Sequence, residues 1–176
     1  RPLLEALADD KDISQQRIAV SVLGYLGNEA AAAPLIRLAK EEPTKSTARG
    51  VSSLLPTIDW GMRVRALVAA GRLGAARTIP ELIELSKHGE VSMREAAIFA
   101  LGQTRNPKAL PSLRAAAKDR RYSVQTIACL SFAMVNDAAS TKLAIELVRD
   151  ETTHDLTRSA CAWYLGQSNA KGARAA

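Results

Sequence analysis

One phrase is written four times along this chain: an apolar stretch closing on Leu-Gly or its equivalent, a turn of small residues, then a second apolar helix. It reads IAVSVLGYLGNEAAAAPLIRLAK from Ile18, VRALVAAGRLGAARTIPELIELSK from Val64, EAAIFALGQTRNPKALPSLRAAAK from Glu95 and TIACLSFAMVNDAASTKLAIELVR from Thr126. A fifth copy opens at Arg158 and reaches Gly166. A repeated helical pair cannot bury its apolar face alone, so it stacks on its neighbours, and such arrays present surfaces to partners.

Taking the closing glycine as a register mark gives Gly24, Gly71, Gly102, Ser131 in the glycine's place, and Gly166. The intervals are 47, 31, 29 and 35 residues. About 30 residues per unit is two short helices with tight connections. The long first interval holds an insertion at 41–58, with two prolines and a Ser/Thr-rich centre, which reads as a loop. Prolines 34, 80 and 111 fall at the starts of the second helices, where a missing N–H costs nothing. The glycines at the marks, Gly71 and Gly102 above all, are expected at the tight turn between paired helices. The chain is expected to form a single array over residues 1–176, all-α, and to be a fragment of a longer one, because both ends read as incomplete units.

Eight residues before each mark stand Gln16, Arg63, Arg94, Ser123 and Arg158. Four residues earlier come Asp12, Asp59, Glu90, Asp119 and His154. An acid at the turn and an arginine on the next helix can satisfy orphan helix N–H groups and pair along the stack, which gives Arg63, Arg94 and Arg158 structural roles. This combination, with Leu-Gly and Pro-x-Leu, resembles the HEAT repeat, and within it the short alanine-rich bacterial type also found in phycobiliprotein lyases. Asp59, Arg63, Ala66, Gly71, Leu73, Gly74, Pro80 and Leu82 carry the resemblance in the second unit. Glu90, Arg94, Ala97, Leu101, Gly102, Pro111 and Leu113 carry it in the third. It covers 11–166, with departures at Gln16, Ser123 and Ser131. It implies a right-handed α-solenoid of antiparallel helix pairs whose second helices line the concave side.

Enzyme classes built on such repeats each make a demand on residues. The resemblance brings di-iron hydroxylases to mind, which need His-Glu pairs on first helices. The matching place here reads Arg94-Glu95, and the chain has two histidines, His88 and His154, both expected in exposed turns. Glycosylases of related repeats need a basic groove with aromatics. The charge fits, but Trp60 and Trp163 are far apart in sequence and read as a turn cover and a core residue. No catalytic residue, metal site or cofactor is assigned. Cys129 and Cys161 fall two and five residues before their marks, at different points of the repeat, and read as buried small hydrophobes without a disulfide.

Charge is the remaining signal. The net charge of +6 is concentrated between Trp60 and Gln125, where twelve basic residues face five acidic ones. Arg77, Arg105 and Lys108 lie in the turns joining paired helices, where exposure is expected and structural pairing least required. Lys40, Lys87, Lys118 and Arg149 recur at the ends of second helices, where a cation suits the helix dipole and a row of positive charge would run along one rim. The expected function is a non-enzymatic scaffold or adaptor docking a protein partner with an acidic surface. The alternative is a bilin-lyase-like or nucleic-acid-binding and processing array. No stretch approaches the length of a membrane span, and a cytoplasmic location is slightly favoured.

Overall fold

The computed structural model describes residues 2–8, 13–40, 57–135 and 138–168. They form ten α-helices and no strand. In chain order these are α1 (Pro2–Ala8), α2 (Ile13–Leu26), α3 (Ala32–Lys40), α4 (Thr57–Arg72), α5 (Ile79–Leu85), α6 (Val91–Gln103), α7 (Leu110–Ala116), α8 (Tyr122–Val135), α9 (Thr141–Arg149) and α10 (Asp155–Ser168). The chain is an all-α solenoid of stacked helix pairs. Of the insertion at 41–58, residues 41–56 lie outside the described residues, and Thr57 and Ile58 already belong to α4.

The even-numbered first helices pack directly on one another, α2 on α4, α4 on α6, α6 on α8 and α8 on α10. Each second helix lies against the first helix that follows it, as α3 does on α4 and α9 on α10. A 3₁₀ turn leads into α3, α5, α7 and α9. Asn28 and Asn106 start two of these turns, each side-chain oxygen accepting from the N–H two residues on at 3.0 Å.

The register glycines are not at the turns. They sit inside the first helices, where the next first helix comes closest. A Cβ placed on Gly71 would lie 2.4 Å from the Ala100 carbonyl oxygen, and one on Gly24 would lie 2.8 Å from the Ala69 Cβ. A Cβ on Gly102 would meet Ser131 at 2.7 Å. The turn itself falls three residues later, on Gly27 and Gly74 with φ of 67° and 62°. The third unit has Arg105 in that left-handed place, at φ 52°. A residue with a Cβ is tolerated there at a cost of about 1 kcal/mol.

These contacts correct the register of the fourth unit. Gly24 and Gly71 each meet the residue two before the next mark, Ala69 and Ala100. Gly102 meets Ser131, so Ser131 stands two before the mark, and the mark is Ala133. The place eight residues earlier is then Gln125, not Ser123, and the place four residues later is Asp137, matching Asn28 and Asn106. The apolar pair that follows the first two marks by eleven residues, Leu35-Ile36 and Leu82-Ile83, falls at Ala144-Ile145 here, eleven after Ala133, so the shift belongs to the whole unit.

The same shift accounts for a disulfide between Cys129 and Cys161, whose Cα atoms are 5.0 Å apart. In the corrected register Cys129 takes the place four before the mark, held elsewhere by Val20, Leu67 and Ile98. Cys161 takes the place five before it, held elsewhere by Ala19, Ala66, Ala97 and Ala128. All of these are buried. A cross-link therefore replaces an aliphatic-on-alanine contact between neighbouring first helices. Trp163, read as core, is half exposed on α10, and the side chain of Trp60 lies outside the described residues.

Two outcomes follow for stability. Gly71→Ala should destabilise by about 3 kcal/mol, because its new methyl meets helix backbone that cannot swing aside, with Gly24→Ala and Gly102→Ala costing less. Gly166→Ala, with nothing within 4 Å of its Cβ, should raise the melting temperature slightly through helix propensity. Reduction of the disulfide, or Cys161→Ala, should cost about 3–4 kcal/mol for a bridge spanning 32 residues, read by denaturant unfolding, and the unreduced parent should show no free thiol even when denatured.

Candidate binding grooves between the second helices

One position holds the turns closed. Eight residues before the marks stand Gln16, Arg63, Arg94, Gln125 and Arg158, all long planar donors. The C-terminal carbonyls of a second helix, and those of the turn that follows it, have no partner within the helix, and these side chains supply one. Arg63 Nε donates to the Ala39 carbonyl at 2.7 Å, and Arg158 Nε to that of Val148 at 3.1 Å. Gln125 Nε2 donates to the Asp119 carbonyl at 2.7 Å. Arg94 Nη1 reaches the His88 and Gly89 carbonyls, both at 3.0 Å.

Arg94 does more. Its Nε pairs with Asp119 Oδ2 at 3.2 Å, with both side chains largely shielded from solvent. Asp119 Oδ1 accepts from the Arg121 N–H at 2.8 Å. The acid that pairs with Arg94 therefore comes from the following unit, and Glu90, four residues before it, makes no side-chain cap to its helix. His88 takes the turn place that Asp119 holds one unit later, its Nδ1 accepting from the Glu90 N–H at 3.2 Å. His154 does the same for Leu156 and stacks on Tyr122, with ring centroids 3.8 Å apart.

Because α5, α7 and α9 make no extensive contact with one another, grooves remain between them. The larger, about 870 Å³, runs between α5 and α7. Small residues of α7, Pro111, Ser112 and Ala115, form one wall and Ile83 the other. Its charged lining is Lys87, Arg94, Lys108 and Arg120 against Asp119. The second groove, about 390 Å³, lies between α7 and α9 and carries Arg114, Lys118 and Lys142 against Glu146. Arg114 Nε also donates to Ser140 Oγ at 3.1 Å, tying α7 to the next turn. Arg94 and Asp119 neutralise each other, whereas Lys87, Lys108, Lys118 and Lys142 make no ion pair among the described residues.

The candidate cations thus separate. Lys87 and Lys108 line the first groove and Lys118 the second. Arg105 and Arg149 are exposed and line neither. Arg77, expected to be the least paired, donates from its guanidinium to the Glu29 carbonyl of the preceding unit. Lys40 leaves the row as a free charge, since its ammonium is hydrogen-bonded to Glu81, with Glu84 at 3.5 Å. The Glu81 hydrogen bond raises its pKa above the ordinary lysine value against a smaller opposing effect of burial. The lysine's share of the pair is therefore complete at neutral pH and is lost as pH rises through that raised value. Arg114, Arg120 and Lys142 were not singled out from the sequence. A visible signal existed for Arg114, which replaces the isoleucine of the apolar pairs Leu35-Ile36 and Leu82-Ile83.

Arg94→Ala should cost about 2–4 kcal/mol, since it leaves two carbonyls and a shielded carboxylate unpaired. Arg77→Ala, which breaks one exposed hydrogen bond, should cost under about 1 kcal/mol. Thermal unfolding of the two variants side by side checks the order.

No helix among the described residues is long and apolar enough to cross a membrane, and no group of three or more His, Cys, Asp or Glu among them is placed to hold a metal ion. Comparison with curated proteins finds no match. The sequence matches the HEAT repeats family over residues 49–133 and the PBS lyase HEAT-like repeat family over residues 15–41. Among solved structures, the fold is similar to a chain in the complex of CpcE and CpcF of phycocyanin lyase from Nostoc sp. PCC7120. That match has a TM-score of 0.65 and 20% identity, covers 95% of this chain, and spans 64% of the length of the other. With glycine contacts, turn-closing arginines and stacked pairs recurring in register, the chain is an array of HEAT-like repeats, similar to the HEAT repeats family over 49–133 and to the PBS lyase HEAT-like repeat over 15–41.

Proposed function

We propose that this chain is a protein-binding array whose second-helix face receives an acidic segment of a partner. The observation that carries this reading is the run of lysines without an ion pair, Lys87, Lys108, Lys118 and Lys142, along two adjoining grooves in which Arg94 and Asp119 already pair with each other. Exposed cations without partners steer an anionic ligand and release no internal pair when they bind it. The supporting comparison is that the similar solved chain is itself part of a two-protein complex. A cytoplasmic setting belongs to the same proposal, with the disulfide buried between α8 and α10 out of reach of soluble thiols.

A second reading has its own support. The lyase name attached to the repeat family and to the similar structure suggests a tetrapyrrole handler. The groove of about 870 Å³ offers lysines for propionate carboxylates and a wall of small residues for a flat ring system. Both cysteines are consumed in the disulfide, so this chain has no free thiol to carry a bilin covalently. In this reading it holds the pigment reversibly for delivery to another protein.

The triple variant Lys87→Glu/Lys108→Glu/Lys118→Glu separates the outcomes. Fluorescence anisotropy with a labelled glutamate-rich peptide should show affinity falling at least about tenfold, with binding weakened by salt in the parent. Melting temperature should stay within about 2 °C. Peptide binding that ignores both salt and the triple overturns the first reading. A saturable red shift of free bilin absorbance, lost in the triple, would favour the second.

A further inference from the structure

Lys40 shows what its place in the array can hold. The row of cations stands sixteen residues after the marks, at Lys40, Lys87, Lys118 and Arg149. The ammonium of Lys40 is hydrogen-bonded to Glu81, and Glu84 lies at 3.5 Å. Both acids belong to the next second helix, α5, ten and thirteen residues after its mark. The same two places are Ser112 and Ala115 on α7, and Leu143 and Glu146 on α9. The lining of the grooves repeats this geometry: Lys87 shares the larger with Ser112 and Ala115, and Lys118 shares the smaller with Leu143 and Glu146. What α5 supplies to Lys40 from within the chain, α7 withholds from Lys87.

The larger groove therefore carries one half of an ion pair. Lys87 and Ala115 are exposed and Ser112 is half-buried, so the place across from the lysine is open to solvent. Lys108 and Arg120 line the same groove, whereas Arg94 and Asp119 neutralise each other. The smaller groove is the poorer seat for an anion, because Glu146 already lines it at the place that Glu84 holds near Lys40.

We propose that one carboxylate of the partner's acidic segment takes, between Lys87 and Ser112, the place that Glu81 takes beside Lys40. This rests on the protein-binding reading above and adds where the acid sits and what would close the site. An acid built into α7 is a tethered competitor. The pair it forms is weak at an exposed position, but its effective concentration is far above that of a dissolved ligand. Ser112, small and neutral, keeps the groove open.

Fluorescence anisotropy with a labelled glutamate-rich peptide tests this. Ser112→Glu should weaken binding at least about fivefold, although every lysine of the grooves is kept. Gln167→Glu adds the same charge at an exposed position of α10 and should change affinity less than about twofold. Ser112→Ala should also stay within about twofold, because the lysine and the space beside it make the seat. In thermal unfolding, Lys87→Ala should cost about 1–3 °C more in the Ser112→Glu background than in the parent, the coupling of a new exposed pair. Should Ser112→Glu misfold, Ala115→Glu places the acid at the equivalent of Glu84, with the same outcomes. A Ser112→Glu variant that binds like Gln167→Glu, or shows no coupling to Lys87, overturns this inference, while the lysine triple still decides the reading beneath it. Ser112→Ala binding as weakly as Ser112→Glu overturns it too. A parent that binds no acidic peptide, or prefers a single-stranded oligonucleotide, overturns the reading and this inference together.

Discussion

Everything in this array depends on how closely one first helix can approach the next. Where Gly71 faces Ala100 the separation is that of backbone against backbone, with no room for a methyl group. Such contact gives dense dispersion interactions over the length of the helices. It also fixes the offset between units, so the buried alanines 19, 66, 97 and 128 recur at one level of the stack. An alanine-rich composition with few aromatics follows from that geometry.

Tight packing in one row leaves the other row open. Each second helix rests on the following first helix and has little hold on its own kind. Carbonyls at its C-terminus or in the turn just after it are taken by a donor reaching back from the next unit, Arg63 and Arg158 at the helix end and Arg94 and Gln125 in the turn. These side chains do in polar terms what the glycines do in apolar terms, fastening one unit to its neighbour. The gaps left between second helices are where charge can serve a partner, because nothing in the stack requires it there.

The repeat, the helix order and the importance of the register glycines were legible in the sequence, because period and side-chain size are written directly in it. The function of those glycines was not. A Leu-Gly before a turn looks like a helix stop, and only the neighbouring helix shows that Gly71 faces a backbone while Gly74 makes the turn. In the sequence Ser131 stands in for the missing glycine because both are small, and that two-residue slip hides the pairing of Cys129 with Cys161. It also hid Gln125, whose amide does an arginine's work without its charge. Among the charged residues, membership of a recurring row was readable, but neutralisation was not. Glu81 meets Lys40 from 41 positions away, through the offset of successive second helices that no local spacing encodes.

The disulfide gives the stack a mechanical polarity. Elsewhere, units are held by contacts that can open one at a time, so a repeat array frays from whichever end is weaker. Between α8 and α10 the seam is covalent and buried. Pulled or heated, the array should peel from the α1 side toward this weld, and on recovery the welded pair offers a template on which the remaining units can wind back in order.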